Sequence, residues 1–321
     1  MYLFWIGGLI IGFALLVKGA DLFVDGAASF ARKLGISAAI VGLTIVAMGT
    51  SAPEAAVSIT AGIKAGFFCV KGASDMAVGN ILGSNLFNLL FILGVCMMIK
   101  FIPTSSDSLK RDFPWAILTT VLFIPMIMDG KLVVLEGIIL LSLFIVYIGI
   151  MVYKSIKNRV VCKDETKLMP VPKSLFLLGL GLAMIICGGQ FVVNSATKIA
   201  ENLGLDSTLI GLTICAIGTS LPELVTSVVA ARKGESELAV GNVIGSNIFN
   251  LLFILGTTVI ISPISVNAEM MIDTIILVIA TAMMMFFSFT GKRCGRVEGV
   301  ISFTCYVGYT VYIICRAYGM V

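Results

Sequence analysis

The sequence predicts an all-α, polytopic membrane protein of ten transmembrane helices in two inverted five-helix repeats. Three observations predict it. The 321 residues are 59% hydrophobic and 12% charged, with a mean hydropathy of +1.08; a soluble domain would carry about twice that charged fraction. Apolar runs on the order of 20 residues, long enough to cross a bilayer, recur along the whole chain. Two motifs, each more than a dozen residues long, occur twice at nearly constant separation.

Taken in order, the apolar runs predict helices over 2–29, 36–64, 73–99, 112–128, 132–154, 173–199, 207–231, 236–261, 269–290 and 297–318. The start, Met1 to Val17, lacks a basic n-region and a small-residue cleavage site, and reads as a retained first span. Residues 1–155 form the first repeat, 156–172 a connecting loop and 173–321 the second repeat. Sixteen of the 22 Lys and Arg residues fall in loops on one side, including 154–173, and five on the other. The positive-inside rule then predicts a cell (inner) membrane protein with both termini outside and the 155–172 loop in the cytoplasm.

The repeat rests on near-identity. Residues 42–54, GLTIVAMGTSAPE, match 211–223, GLTICAIGTSLPE, at 10 of 13 positions with an offset of 169. Residues 77–94, AVGNILGSNLFNLLFILG, match 239–256, AVGNVIGSNIFNLLFILG, at 15 of 18 with an offset of 162. Five spans per repeat is an odd number, so the second copy enters the membrane from the opposite side. Inverted pairs of this kind are typical of secondary transporters, whose sites lie near the midplane where the repeats meet.

Glu54 and Glu223 lie well inside apolar helices. A charge at that depth costs at least ~2.5 kcal/mol and marks a functional site unless a base neutralises it. Each helix has basic residues only near its ends (Lys64; Arg232 and Lys233). Pro53 and Pro222 lack the N–H that would bond Gly49 and Gly218, which predicts kinks that release carbonyls near Ala47 and Ala216. Thr50, Ser51, Thr219 and Ser220 precede the acids, with Thr50 and Glu54 on one helical face. Hydroxyl, carboxylate and carbonyl oxygens are the hard ligands that calcium and sodium take.

The second motif, GNxxGSNxFN, pairs Ser84 with Asn88 and Ser246 with Asn250 at i, i+4. Its glycines, Gly79 and Gly83 (Gly241 and Gly245), predict close approach to the glutamate helix. Asp75 and Glu237 read as helix N-terminal acids. Lys18, Asp21 and Asp25 share a face near the inner end of the first span. Their counterparts, Cys187, Gln190 and Asn194, are uncharged, so they read as an interfacial ion pair.

Other classes are excluded by absence. The net charge of +4 is scattered, without the basic stripe that nucleic-acid binding needs. The eight cysteines show neither disulfide nor zinc spacing. There is no histidine and no GxxxxGK[ST] phosphate loop. No catalytic constellation, cofactor or protein partner is expected.

At the duplicated GTSxPE and GNxxGSNxFN motifs, and over nearly the whole chain, the sequence resembles the sodium/calcium exchanger family within the cation/calcium exchanger superfamily. It is closest in layout to the compact prokaryotic members. The resemblance implies alternating access, with Na+ and Ca2+ competing as transported ions for one central cluster of sites. It implies Glu54 and Glu223 as carboxylate ligands, and Thr50, Ser51, Thr219 and Ser220 as hydroxyl or carbonyl donors. Ala47 and Ala216 would offer carbonyls, with Ser84, Ser246, Asn88 and Asn250 flanking them. Many relatives carry Asp where this chain has Asn250, which argues against the potassium-dependent branch. The proton/calcium branch places Glu within its GN motif, where this chain has Gly83 and Gly245, so sodium coupling is preferred over a proton/cation antiporter. A passive channel would lack counterflow.

Overall fold

A computed structural model describes residues 2–68, 73–103, 111–157, 169–203, 216–291 and 293–318. The described chain is almost wholly helical. The first helix, α1 (Tyr2–Leu34), is followed by α2 (Ala38–Thr50) and α3 (Ala52–Phe68), then by α4 (73–99). Next come α5 (Phe113–Ile127), α6 (Val134–Lys157) and α7 (Val171–Asn202). The rest are α8 (Ala216–Thr219), α9 (Leu221–Lys233), α10 (Ser236–Ile261), α11 (Ala268–Gly291) and α12 (Arg296–Ala317). Seven described helices are long and apolar enough to cross a membrane, and the bent pair α2–α3 makes an eighth. The shorter α5 ends before Asp129 and Gly130, and the seventh predicted helix lies partly at 207–215, outside the described residues.

Burial sorts these helices. In the apolar windows of α4 and α10, 78% of residues are buried, against 17–39% for α1, α6, α7, α11 and α12. The outer helices turn Leu3, Ile145, Phe176, Ile279 and Val297 outward, as apolar solvent allows. So α4 and α10, which carry the second motif, form the centre.

Small residues set how closely the helices pack. A Cβ on Gly12 would meet the Gly188 carbonyl at 2.9 Å, and one on Gly19 would meet that of Gly181 at 2.9 Å. Backbone contact at these glycines is what lets α1 and α7 cross closely. A Cβ on Gly241 would meet the Ala39 carbonyl at 2.6 Å, and one on Gly245 would meet the Leu43 Cα and carbonyl oxygen at 2.6 Å. The predicted close approach therefore holds for α10, though against α2, the segment before the break, and not against the helix that carries Glu54. For Gly79 and Gly83 of α4, the counterparts of these α2 neighbours fall at 208–212, outside the described residues.

Two short antiparallel ladders connect distant segments. β1 (Ile102–Pro103) pairs with β4 (Arg293–Cys294), and β2 (Lys131–Leu132) pairs with β3 (Ile264–Ser265).

Charged groups depart from their sequence reading in two places. Asp21 and Asp25 do not find their partner within α1: both face Lys233 on α9, at 3.4 and 2.8 Å. Nearby, Arg32 pairs with Glu235. A local pattern cannot register a partner more than 200 residues away. Arg111, expected in a loop, is buried and pairs with its neighbour Asp112. Glu237 lies in the first turn of α10 as expected, while the Asp75 side chain is outside the described residues.

A buried cluster of carboxylates and amides

The centre of the molecule is built by two interrupted helices. Ser51 leaves the helical region (φ −81°, ψ 10°), and α2 and α3 meet there at 51°. Ser220 repeats this conformation (φ −91°, ψ 8°) between α8 and α9. The prolines act differently from expectation. Pro53 and Pro222 sit in the first turn of the new helices α3 and α9. A missing N–H is tolerated there, since the first four have no helical acceptor. Nor is the Ala47 carbonyl released: it accepts the Ser51 N–H at 3.0 Å. The backbone of Ala216 opens α8, and its side chain is outside the described residues.

The break puts each glutamate in the first turn of a helix, where the dipole favours negative charge. Both carboxylates are buried, at 1% exposure for Glu54 and 0% for Glu223. They are held crosswise. Ser51 Oγ donates to Glu223 Oε1 at 2.7 Å, and Ser220 Oγ donates to Glu54 Oε1 at 2.8 Å. Ser246 Oγ lies 3.5 Å from the same Glu223 oxygen. Thr50 is buried and donates to Val46 O and to Asn242 Oδ1, at 3.2 and 3.1 Å, and Thr219 is half-buried.

Asn88 and Asn250 are buried on α4 and α10, each within or at the edge of a π-helical turn (Phe87–Ile92 and Asn250–Ile254). Such turns are frequent at functional sites. Asn88 Nδ2 donates to Asn247 Oδ1 at 3.1 Å, and Asn250 Nδ2 donates to Asn85 Oδ1 at 3.0 Å.

What remains after these bonds is chemically uniform. Glu54 Oε2, Glu223 Oε2, Asn88 Oδ1, Asn250 Oδ1 and Ser84 Oγ are buried without a hydrogen-bond partner. Four of the five are pure acceptors, and a buried acceptor left alone costs about 1–3 kcal/mol, more when charged. Neither glutamate pairs with a basic residue, and no group of three His, Cys, Asp or Glu side chains suited to a metal occurs among the described residues. Two carboxylates and several neutral oxygens suit a hard cation whose charge they balance.

Sequence reasoning passed over Asn80, Asn85, Asn242 and Asn247, and Ser58 and Ser227. Asn80 Nδ2 donates to Ser58 Oγ and Asn242 Nδ2 to Ser227 Oγ, both at 2.9 Å. Each residue recurs at the offset of its motif, and that duplication was the signal.

The comparisons agree on one family. The model of the sodium/calcium exchanger protein family matches residues 4–153 and 173–315. CaxA of Alkalimonas amylolytica is 41% identical over 312 residues, covering 94% of this chain and 96% of its own. The sodium/calcium exchanger MaX1 of Methanosarcina acetivorans is 35% identical, covering 95% and 97%. A structure of the sodium-calcium exchanger NCX_Mj soaked with 2.5 mM Na+ and 0.1 mM Ca2+ superposes with a TM-score of 0.83 at 30% identity, over 99% of both chains.

Proposed function

The chain belongs to the sodium/calcium exchanger family, a family of transporters and not of enzymes, and on that premise we propose that it exchanges Na+ for Ca2+ by alternating access. The observation that carries the reading is the crosswise pair: each repeat's serine holds the other repeat's glutamate, leaving one oxygen of each carboxylate without a partner. Two carboxylates neutralise one Ca2+, and Na+ competes for the same oxygens. Thr50, Ser84 and their equivalents Thr219 and Ser246 complete the donor set, with the carbonyls of Asn88 and Asn250. Competition at shared ligands couples the two fluxes without ATP.

The reading includes ten spans in two inverted repeats, 1–155 and 173–321, with both termini outside and the 155–172 loop in the cytoplasm of a cell membrane. Several contacts support it, because each joins segments assigned to the same side. β1 with β4, Lys233 with Asp21 and Asp25, and Arg32 with Glu235 lie on the assigned inner side. β2 with β3, and Arg316 with Asp273, lie on the outer side. The connecting residues 158–168 are outside those described.

The test is labelled calcium uptake by the purified protein in vesicles, driven by a sodium gradient with potassium replaced by choline. Uptake that collapses with the sodium gradient is expected. Uptake that follows an imposed proton gradient and ignores sodium would transfer the mechanism to proton coupling. A large fall on potassium removal would refute potassium independence.

A further inference from the structure

Asn85 and Asn247 are the asparagines of the repeated GSN triplet, and both are buried. Asn85 Nδ2 donates to the backbone carbonyl of Asn247 at 3.2 Å, and Asn247 Nδ2 donates to that of Asn85 at 3.0 Å. A backbone carbonyl can only accept, so these bonds fix which way each amide faces. Oδ1 of Asn85 is thereby turned to Asn250 and Oδ1 of Asn247 to Asn88. Only an N–H can meet an acceptor, so Asn250 and Asn88 must each present Nδ2, at 3.0 and 3.1 Å. Their own Oδ1 atoms are then committed to the opposite direction, and these are the two amide oxygens buried without a partner. Ser246, one turn before Asn250 on the same face, touches Glu223.

We infer that Asn85 and Asn247 are positioning residues that fix the carbonyl oxygens of Asn250 and Asn88 as cation ligands, each repeat orienting the amide of the other. The inference rests on the cation site proposed above and adds the residues that set its ligand geometry. A free asparagine could rotate and offer its NH2, which repels a cation. The brace removes that choice at both amides, and it explains why the triplet carries an asparagine that is not itself left with a free oxygen.

The experiment is calcium binding to the purified full-length protein, read as thermal stabilisation against calcium concentration. Removing an outer partner of a metal ligand costs about ten- to a hundredfold in affinity, and Asn85→Ala is expected to fall in that range. The decisive reading is the pattern of coupling. On an Asn250→Ala background Asn85→Ala should cost nothing further, whereas on Asn88→Ala it should cost its full factor. Asn247→Ala should behave in the mirror sense, silent on Asn88→Ala and costly on Asn250→Ala. Asn85→Ser and Asn247→Ser are measured alongside, since a hydroxyl can still donate to the facing carbonyl but is too short to hold the far amide. They should fold where alanine does not and show the same pattern. An equal loss on both backgrounds would mean the brace serves packing alone and would overturn the inference. So would unchanged affinity in Asn85→Ala. If the unmutated protein gains no stability from calcium, the cation site itself fails and the inference with it, an outcome distinct from additive cycles.

Discussion

Gly245→Ala should disable the protein, because α10 rests on the backbone of α2 at that residue. The added methyl at 245 would sit 2.6 Å from Leu43 Cα, 2.6 Å from its carbonyl oxygen and 2.8 Å from its carbonyl carbon. Ordinary carbon contacts need roughly 3.5–4.0 Å, so α10 and α2 must part by about an ångström. All three atoms are backbone, so no side chain can swing aside. Overpacking of this kind costs about 1–3 kcal/mol, against a gain of at most ~1 kcal/mol from replacing a helical glycine by alanine. The net destabilisation is up to about 2 kcal/mol. The functional loss should be larger, because Ser246 and Asn250 ride on the same helix and an ångström of misplacement can cost about a hundredfold. The assay is the melting temperature of the purified variant together with sodium-driven calcium uptake in vesicles. Wild-type melting and uptake for Gly245→Ala would refute the reasoning.

Glu54→Gln and Glu223→Gln should each abolish exchange while leaving a folded protein, since each removes half the charge of the buried pair; normal uptake by a reconstituted variant would release that residue from the site. Exchange should fail in acid because protons compete with cations for the two carboxylates, and there is no histidine to titrate instead. Raising calcium should restore flux at a given acid pH, and inhibition that calcium cannot relieve would place the protons elsewhere. Lys233→Met should lower stability by less than about 1 kcal/mol, because its pairs with Asp21 and Asp25 are substantially exposed and screened by salt. A melting point that drops sharply, at low and high ionic strength alike, would show that these pairs act as a buried network.

The glutamates, the serines beside them and the amides at 88 and 250 were legible because the sequence states them twice. The helices were legible from hydrophobicity, to within a few residues at most ends. What escaped shares a different cause. The crosswise bonds from Ser51 and Ser220, the Asn85–Asn247 brace and the Lys233 partnership all join one repeat to the other. No local periodicity registers contacts of that range. The break at Ser51 escaped for another reason: a proline reads alike as a kink within a helix or as the first turn of a new one, and only the backbone angles separate them.

The two ladders have a consequence for how the protein is made. Each takes one strand from either side of the chain's midpoint, so β1 and β2 are synthesised long before β4 and β3 exist. When the ribosome has delivered only the earlier half, its two strands offer unpaired edges, and Glu54 lacks the hydroxyl of Ser220 that holds it. That nascent half therefore lacks these contacts until its complement arrives. Once the later strands dock, the two ladders join the earlier half to the later one, and cutting the chain between residues 158 and 168 is expected to leave two pieces that stay together.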